Sequence, residues 1–370
     1  MKKAVSRKNQ IIPYGYHEVG KEEEQAVKKI LRGRYLTQGN AVEEFEKSLC
    51  EFTNSRYAVV VSSGTAALHL AMISLCNPGD RILTSPLTFV ATVNSISYAN
   101  AIPVFNDVSI ETYLLEPDLS MKYKGAIIVH FAGLPNTCNE WKNFDGWIVE
   151  DAAHSLGAER LVNNKWQQIG HSRYSIATIL SFHPVKSITT CEGGAILTSD
   201  RNLADELRKL RSHCISSRKG YLYEIEKVGF NYRLSDLNCA IGIEQLKKLP
   251  KFMEKRREIA YRYIEELRNV EEIILPIEHE EVRSAWHLFP VRIKNRDRIY
   301  RQLLDNNIKC QVHYIPVYKF SLYKHLYKDL PNVEKIFASE LSLPIFPALS
   351  KTQQNRVIEI LKSNFLKTKR

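Results

Sequence analysis

The chain has 370 residues, 44% of them hydrophobic, which is long enough to enclose two cores and too apolar for a disordered polymer. Its formal charge of +11 is spread out, with local runs at Lys2, Lys3, Arg7 and Lys8, at Lys247 to Arg257 and at Lys367 to Arg370. Such runs read as solvated helix faces and chain ends, so a nucleic-acid partner is not expected, although a basic average helps to attract a phosphorylated substrate. Seven cysteines stand singly with no CxxC pair, which argues against a disulfide framework and a metal site and fits a reducing cytoplasm. The opening MKKAVSRKNQ is basic but no apolar stretch follows it, and no run approaches membrane-spanning length, so a soluble cytoplasmic protein is expected.

Along the chain, Gly20 to Gly33 has a helical period with Val27, Ile30 and Leu31 on one face, and residues 41–52 repeat it with Val42, Phe45 and Leu49. Five nearly continuous apolar runs follow: YAVVV (57–61), RILTS (81–85), IPVFN (102–106), AIIVH (126–130) and WIVED (147–151). Strands buried on both faces of a parallel sheet have this composition. Helix-like segments at 66–75 and 89–98 alternate with them, giving a βαβ series, and SIATILSF and AILTS extend it. Helical, charged sequence then runs over 203–210 and 235–267, and beyond it HLFPVRI and KCQVHYI read as the clear strands of a smaller α+β region. We therefore expect a large domain over residues 1–250, including an N-terminal arm, and a small C-terminal domain over 251–370.

Three segments carry chemistry. SSGTAAL (62–68) puts Gly64 and Thr65 in a turn before an apolar helix, where free N–H groups and a hydroxyl suit an anion; the same residues serve equally as a plain N-cap. Asp151 follows the apolar run of WIVED, so it emerges at the carboxyl end of a strand, where open α/β sheets bind ligands; a helix-capping Asp has the same pattern. Beside the pyridine nitrogen of a pyridoxal cofactor, such a carboxylate keeps the ring protonated. Ala152 and Ala153 leave room for a flat ring, and His154 is within reach of its hydroxyl. Lys186 in SFHPVKS follows mostly apolar residues; desolvation there lowers an amine's pKa and allows Schiff-base chemistry, whereas an exposed lysine would merely snorkel. Ser181 offers a further hydroxyl and Phe89 a stacking face.

SSGTAAL, SPLTFVATVNSI, VEDAAHSLGA, SFHPVKSITTCEGGAILT, GFNYRLSDLNCAIG, VHYIP and LSLPIFPALS together resemble, in the same order, segments of the DegT/DnrJ/EryC1 family of nucleotide-sugar aminotransferases. The resemblance implies an α/β, fold-type I, aspartate-aminotransferase-like enzyme, with a mostly parallel mixed sheet in the large domain and active sites at a homodimer interface. It implies pyridoxal 5'-phosphate as cofactor, with Lys186 as its Schiff-base lysine, Asp151 at the pyridine nitrogen and Phe89 over the ring. Gly64, Thr65 and Ser181 would hold the phosphate, and Asn231 would reach it from the partner subunit. The implied reactants are L-glutamate and a UDP-linked 4-keto-6-deoxy sugar, for which His183, Glu192, Arg211, Arg233, His313 and Tyr314 are the candidate contacts. A lysine at 186 sets the chain apart from the family's dehydratases, which carry histidine there. Sugars of D configuration, of the bacillosamine or viosamine type, fit the same motifs, and so does a catalytically idle sensor. Two departures stand out: Cys191 and Cys214 occupy positions where the family pattern has glycine, and either would be strained at positive φ.

Overall fold

The computed structural model describes residues 11–170 and 174–366, so the basic runs at residues 2–8 and 367–370 lie outside the described residues. All five apolar runs form strands: β1 (Tyr57–Val61), β2 (Arg81–Thr84), β3 (Ile102–Phe105), β4 (Gly125–Val129) and β5 (Trp147–Asp151). A hairpin of β6 (Glu159–Val162) and β7 (Lys165–Gln168) lies outside their sheet, and β8 (Ala177–Ser181) and β9 (Gly194–Thr198) return to it. The seven strands stand in the order β1-β9-β8-β5-β4-β2-β3. β9 is antiparallel to both β1 and β8, and every other pair is parallel. Six strands thus point the same way, and their carboxyl ends share one edge.

Burial on both faces explains the continuous apolar runs. Val59, Val61, Ile127, Val149 and Ile179 pack under α3 (Gly64–Leu75), α4 (Val90–Tyr98) and α5 (Arg201–Arg211). Ala58, Val60, Leu180 and Leu197 face α2 (Asn40–Thr53) and the long α6 (Asp236–Leu267), while α1 (Lys21–Leu31) lies on α6 from outside. Helix α2 approaches α6 at Gly242, where an added Cβ would come within 2.5 Å of the Phe45 ring.

The expected domain boundary at residue 250 falls inside α6, which continues through Pro250. Residues Cys239 to Met253 pack on the sheet, whereas Ile259, Ala260, Tyr263 and Leu267 enter a second core. That core holds β14 (Phe289–Ile293), flanked by β12 (Ile273–Ile274) and β15 (Glu340–Leu343), with α7 (Arg296–Asp305) and α9 (Lys351–Leu366). The structure corrects one strand: in KCQVHYI only Gln311 pairs, through a bridge to Ser342, and the strand beside β14 is β15. Fully buried Arg256 ties α6 to this region by donating from Nη1 to the carbonyls of Trp286, His287 and Ile345 at 3.1, 3.3 and 3.1 Å. Two further hairpin strands, β10 (Ile215–Lys219) and β11 (Leu222–Ile225), pair with each other, and β13 (Val282–Arg283) joins β6. Helix α8 (Pro331–Ser339) leads directly into β15.

Phe45 is fully buried between α2 and α6. Phe45→Ala is expected to destabilise the protein by about 3–5 kcal/mol through lost burial and the residual cavity, read as a lower midpoint in urea unfolding.

Candidate active site

The carboxyl edge of the sheet opens into a cavity of about 490 Å³, lined by residues from β4, β5 and β8, the turn after β1, the loop after β2, and the segment around His313. Helix α3 begins at that edge. Ser63 caps it, its Oγ accepting from Ala66 N–H at 3.0 Å and its carbonyl from Ala67 N–H at 3.0 Å, so the first-turn N–H groups of Gly64 and Thr65 are available to an anion. A Cβ at residue 64 would lie 2.9 Å from that of Ser181, so glycine is what lets this turn close against β8.

Asp151 is buried at the end of β5. Its Oδ2 accepts from Thr92 Oγ1 at 2.8 Å and its Oδ1 from Ala153 N–H at 3.2 Å. Thr92 Oγ1 in turn lies 2.8 Å from Thr88 Oγ1, one turn earlier. Burial raises the pKa of Asp151, and the Thr92 bond, the Ala153 N–H, Lys186 and His130 oppose the rise. Lys186 lines the same cavity and is half-buried. Desolvation lowers its pKa to about 8, against the pull of the Asp151 charge. A neutral amine is therefore within reach at working pH, where an exposed lysine would be almost wholly charged.

His154 sits beside Asp151, its Nε2 3.1 Å from the Tyr314 hydroxyl and its ring 4.4 Å from that of His287. Burial holds the tyrosine protonated and the histidine neutral, so one proton lies between the hydroxyl and Nε2, while Nδ1 is buried with no hydrogen-bond partner among the described residues. Phe89 lines the cavity with its ring 57% exposed, free to cover a flat ligand. His183, Glu192 and His313 also line it, and Tyr14 closes it beside His313, 5.7 Å between ring centroids.

An anion cradle that only glycine permits, a hydrogen-bonded carboxylate, a desolvated amine, an open aromatic face and an orphaned imidazole nitrogen together fit a phosphorylated pyridine aldehyde. Eleven of the expected residues line this cavity: Gly64, Thr65, Phe89, Asp151, His154, Ser181, His183, Lys186, Glu192, His313 and Tyr314. Asn231 is exposed and outside the cavity of its own chain. Arg211 lies outside this cavity, its Nη1 donating to Glu46 Oε1 and the Val60 carbonyl, both at 2.7 Å. Arg233 donates to Ser212 Oγ at 3.1 Å and shares with Arg211 a separate cavity of about 250 Å³.

Thr92 and Thr88 were not anticipated: Thr92 is in the first turn of α4, whereas Thr88 precedes the helix, and only the turn through Phe89 brings the two hydroxyls together. Nor was the buried cluster behind Asp151. There Glu150 binds Arg160 Nη2 at 2.9 Å and His130 Nε2 at 3.0 Å, and Asn136 N–H donates to His130 Nδ1 at 3.1 Å. That last bond leaves the imidazole proton on Nε2, pointing at Glu150. Burial alone would raise the pKa of Glu150; the charge of Arg160 and the bond from His130 win and hold it far below the carboxylate range. Both cysteines at family glycine positions have left-handed backbones, φ 69° at Cys191 and 57° at Cys214.

Comparison with known proteins agrees with this geometry. Residues 17–362 match the DegT/DnrJ/EryC1/StrS aminotransferase family. The UDP-4-amino-4,6-dideoxy-N-acetyl-beta-L-altrosamine transaminase of Campylobacter jejuni is 35% identical over 97% of this chain and 99% of its own length. The spore coat polysaccharide biosynthesis protein SpsC of Bacillus subtilis is 34% identical over 97% and 98%. Among solved structures, Helicobacter pylori PseC, an aminotransferase of pseudaminic acid biosynthesis, superposes with a TM-score of 0.90 at 28% identity over 97% of this chain and all of its own. The PLP form of the sugar aminotransferase Spr1654 from Streptococcus pneumoniae gives 0.89 at 26%, over 97% and 99%.

If Lys186 is the desolvated amine, the rate at which the apo-protein captures pyridoxal phosphate should rise through a midpoint near pH 8, followed by absorbance. The Asp151 charge favours the ammonium form, so Asp151→Asn is expected to move that midpoint to lower pH.

Proposed function

Because the chain belongs to the DegT/DnrJ/EryC1/StrS aminotransferase family, and is therefore a PLP-dependent sugar aminotransferase of fold-type I, we propose that it moves the amino group of L-glutamate to the C4 ketone of a UDP-4-keto-6-deoxy-N-acetylhexosamine. The substrate has the L-arabino configuration and the product is UDP-4-amino-4,6-dideoxy-N-acetyl-β-L-altrosamine, on the route to pseudaminic acid. The observation that carries the reading is one cavity holding a desolvated Lys186 and a hydrogen-bonded Asp151. Likeness over nearly the whole chain to the C. jejuni transaminase and to PseC supports the choice of sugar.

When bound, pyridoxal phosphate supplies an aldehyde that captures amines covalently and a ring that withdraws electrons from the bond being broken. Gly64, Thr65 and Ser181 would hold its phosphate, and Phe89 would cover its ring. Asp151, whose anion the Thr92 hydroxyl and the Ala153 N–H favour against burial, would hold the proton on the pyridine nitrogen. Lys186 Nζ, neutral for an appreciable part of the time, takes the proton from the amino donor's Cα and delivers it on the other side of the transfer. In the second half it moves a proton in the reverse sense on the sugar carbon. His154, its Nε2 held by Tyr314, would reach the ring's hydroxyl. His183, Glu192, His313 and Tyr314 surround the sugar nucleotide. Asn231, outside its own cavity, reaches the phosphate in the partner's site of a homodimer, and Arg233 faces the same boundary. We assign the enzyme to the cytoplasm, where its scattered cysteines remain thiols.

Lys186→Ala should lose both half-reactions: neither a spectral response to glutamate nor amination of the sugar should survive. Purified enzyme with glutamate, offered both C5 epimers of the keto sugar, is expected to aminate the L-arabino form, identified by mass and NMR. Amination of the D-xylo form alone would move the enzyme to the bacillosamine type, and absence of any response to glutamate would identify an idle sensor.

A further inference from the structure

The sugar-facing side of the cavity contains a hydrogen-bond relay that the transamination chemistry does not itself require. Strand β15 reads ELSL. Leu341 and Leu343 enter the C-terminal core, and period-two alternation turns Glu340 and Ser342 the other way. That face is not solvent: both residues are fully buried. Ser342 Oγ donates to Glu340 Oε1 at 2.6 Å and lies 2.9 Å from His313 Nδ1, while Glu340 Oε2 accepts the main-chain N–H of His313 at 2.8 Å. His313 lines the cavity, and its Nε2 is left over for whatever binds there.

We propose that Glu340 and Ser342 are positioning residues which decide whether His313 Nε2 offers the sugar a hydrogen-bond acceptor or a donor. With Glu340 ionised, Oε1 accepts the Ser342 hydroxyl proton, the serine oxygen must accept from Nδ1–H, and Nε2 is bare. With Glu340 protonated on Oε1, the carboxyl donates to Ser342, the hydroxyl donates to Nδ1, and the ring proton sits on Nε2. Every buried polar atom of the relay is satisfied in both states, and only one proton is gained or lost, at Glu340. The ring is neutral throughout, since burial and the nearby Lys186 charge press the His313 pKa down to about 3. The two forms suit different ligands: a ketone oxygen needs the donor, an amine or hydroxyl is met by the acceptor.

The surroundings keep Glu340 near the changeover. Burial raises its pKa to about 8, opposed by the Ser342 and His313 bonds and by Arg296 of α7, whose Nη1 donates to the Glu340 carbonyl at 2.9 Å. From β14, Arg292 pairs in register with Glu340 and interacts with Tyr113. Tyr113, Tyr314 and Cys310 face Glu340 as well, each held protonated by burial.

The identity of the ligand rests on the proposed function; the relay does not, and it is tested without turnover. Holoenzyme labelled with 15N-histidine, with the His313 signals assigned by loss in His313→Asn, reports the tautomer directly. In Glu340→Gln the amide must accept from His313 N–H and donate to Ser342, which fixes the donor form. At a pH about 1.5 units above the Glu340 value of about 8, wild type should show a bare Nε2 and Glu340→Gln an Nε2–H. The same tautomer in both proteins would overturn the proposal. Should Glu340→Gln fail to fold, Ser342→Ala serves instead: wild type should exchange the two nitrogen signals between about pH 6.5 and 9.5, and the variant should not. An exchange retained without the serine hydroxyl would equally refute the relay. Failure of the sugar assignment would appear in the epimer assay and leave these spectra unchanged.

Discussion

Asp151 and Lys186 share one cavity, and burial disfavours the charged form of each. A site that needs the carboxylate ionised and the amine neutral must therefore treat two neighbours unequally. Hydrogen bonds make the difference. Asp151 receives the Thr92 hydroxyl and the Ala153 N–H, both of which favour the anion and limit the rise that burial causes, whereas desolvation of Lys186 is opposed by the charge of that same anion. The donors come from particular places: Thr92 from the first turn of α4, Ala153 from the turn that ends β5. Their convergence depends on the sheet. Strands β1, β5 and β8 point the same way only because the single antiparallel strand β9 is inserted between β1 and β8, which brings Gly64, Asp151 and Ser181 to one edge.

How far this was legible depended on the range of the interaction. The strands of the sheet were readable because burial on both faces writes itself into consecutive residues, and Asp151 because it ends such a run. The ion pair of Arg211 was not legible because its partner, Glu46, is 165 residues away, and nothing local distinguishes a structural arginine from a ligand contact. Strand β15 was overlooked for the opposite reason. Its alternation is plain, but with Glu340 and Ser342 on the polar face, the pattern suggests solvent where the structure has a buried relay. KCQVHYI looks like a strand because Cys310 and His313 are buried, yet they are buried against different neighbours, the C-terminal core and the cavity.

The two cysteines at family glycine positions show how a local cost is carried. A non-glycine residue in the left-handed region costs on the order of 1 kcal/mol. Cys191 lies in the loop that bears Lys186, and that loop is closed at both ends: Phe182 N–H donates to the Gly193 carbonyl at 2.8 Å, Thr190 N–H to the Phe182 carbonyl at 3.0 Å, and Cys191 N–H to Thr189 Oγ1 at 3.0 Å. Cys214 N–H donates to the Lys209 carbonyl at 2.8 Å, closing the end of α5. In both places several bonds fix the backbone where a side chain is unwelcome, so the conformation survives the loss of glycine. The loop that orients the reactive amine is thus held by its main chain and is not dependent on the identity of residue 191.

The cavity is built in two halves by different means. Its sheet side consists of strand ends, where small shifts are resisted by seven hydrogen-bonded strands. Its other side is made of Tyr14, His313 and Tyr314, supported by β15 and anchored to α6 through Arg256, which grips the carbonyls of Trp286, His287 and Ile345. Burial lowers the pKa of that arginine only to about 10, so it remains a cation and its hydrogen bonds persist across the working range. His313 is thus held by β15, while Asp151 and Thr92 are held by the end of β5 and the first turn of α4, and the cavity joins side chains fixed from two different parts of the fold.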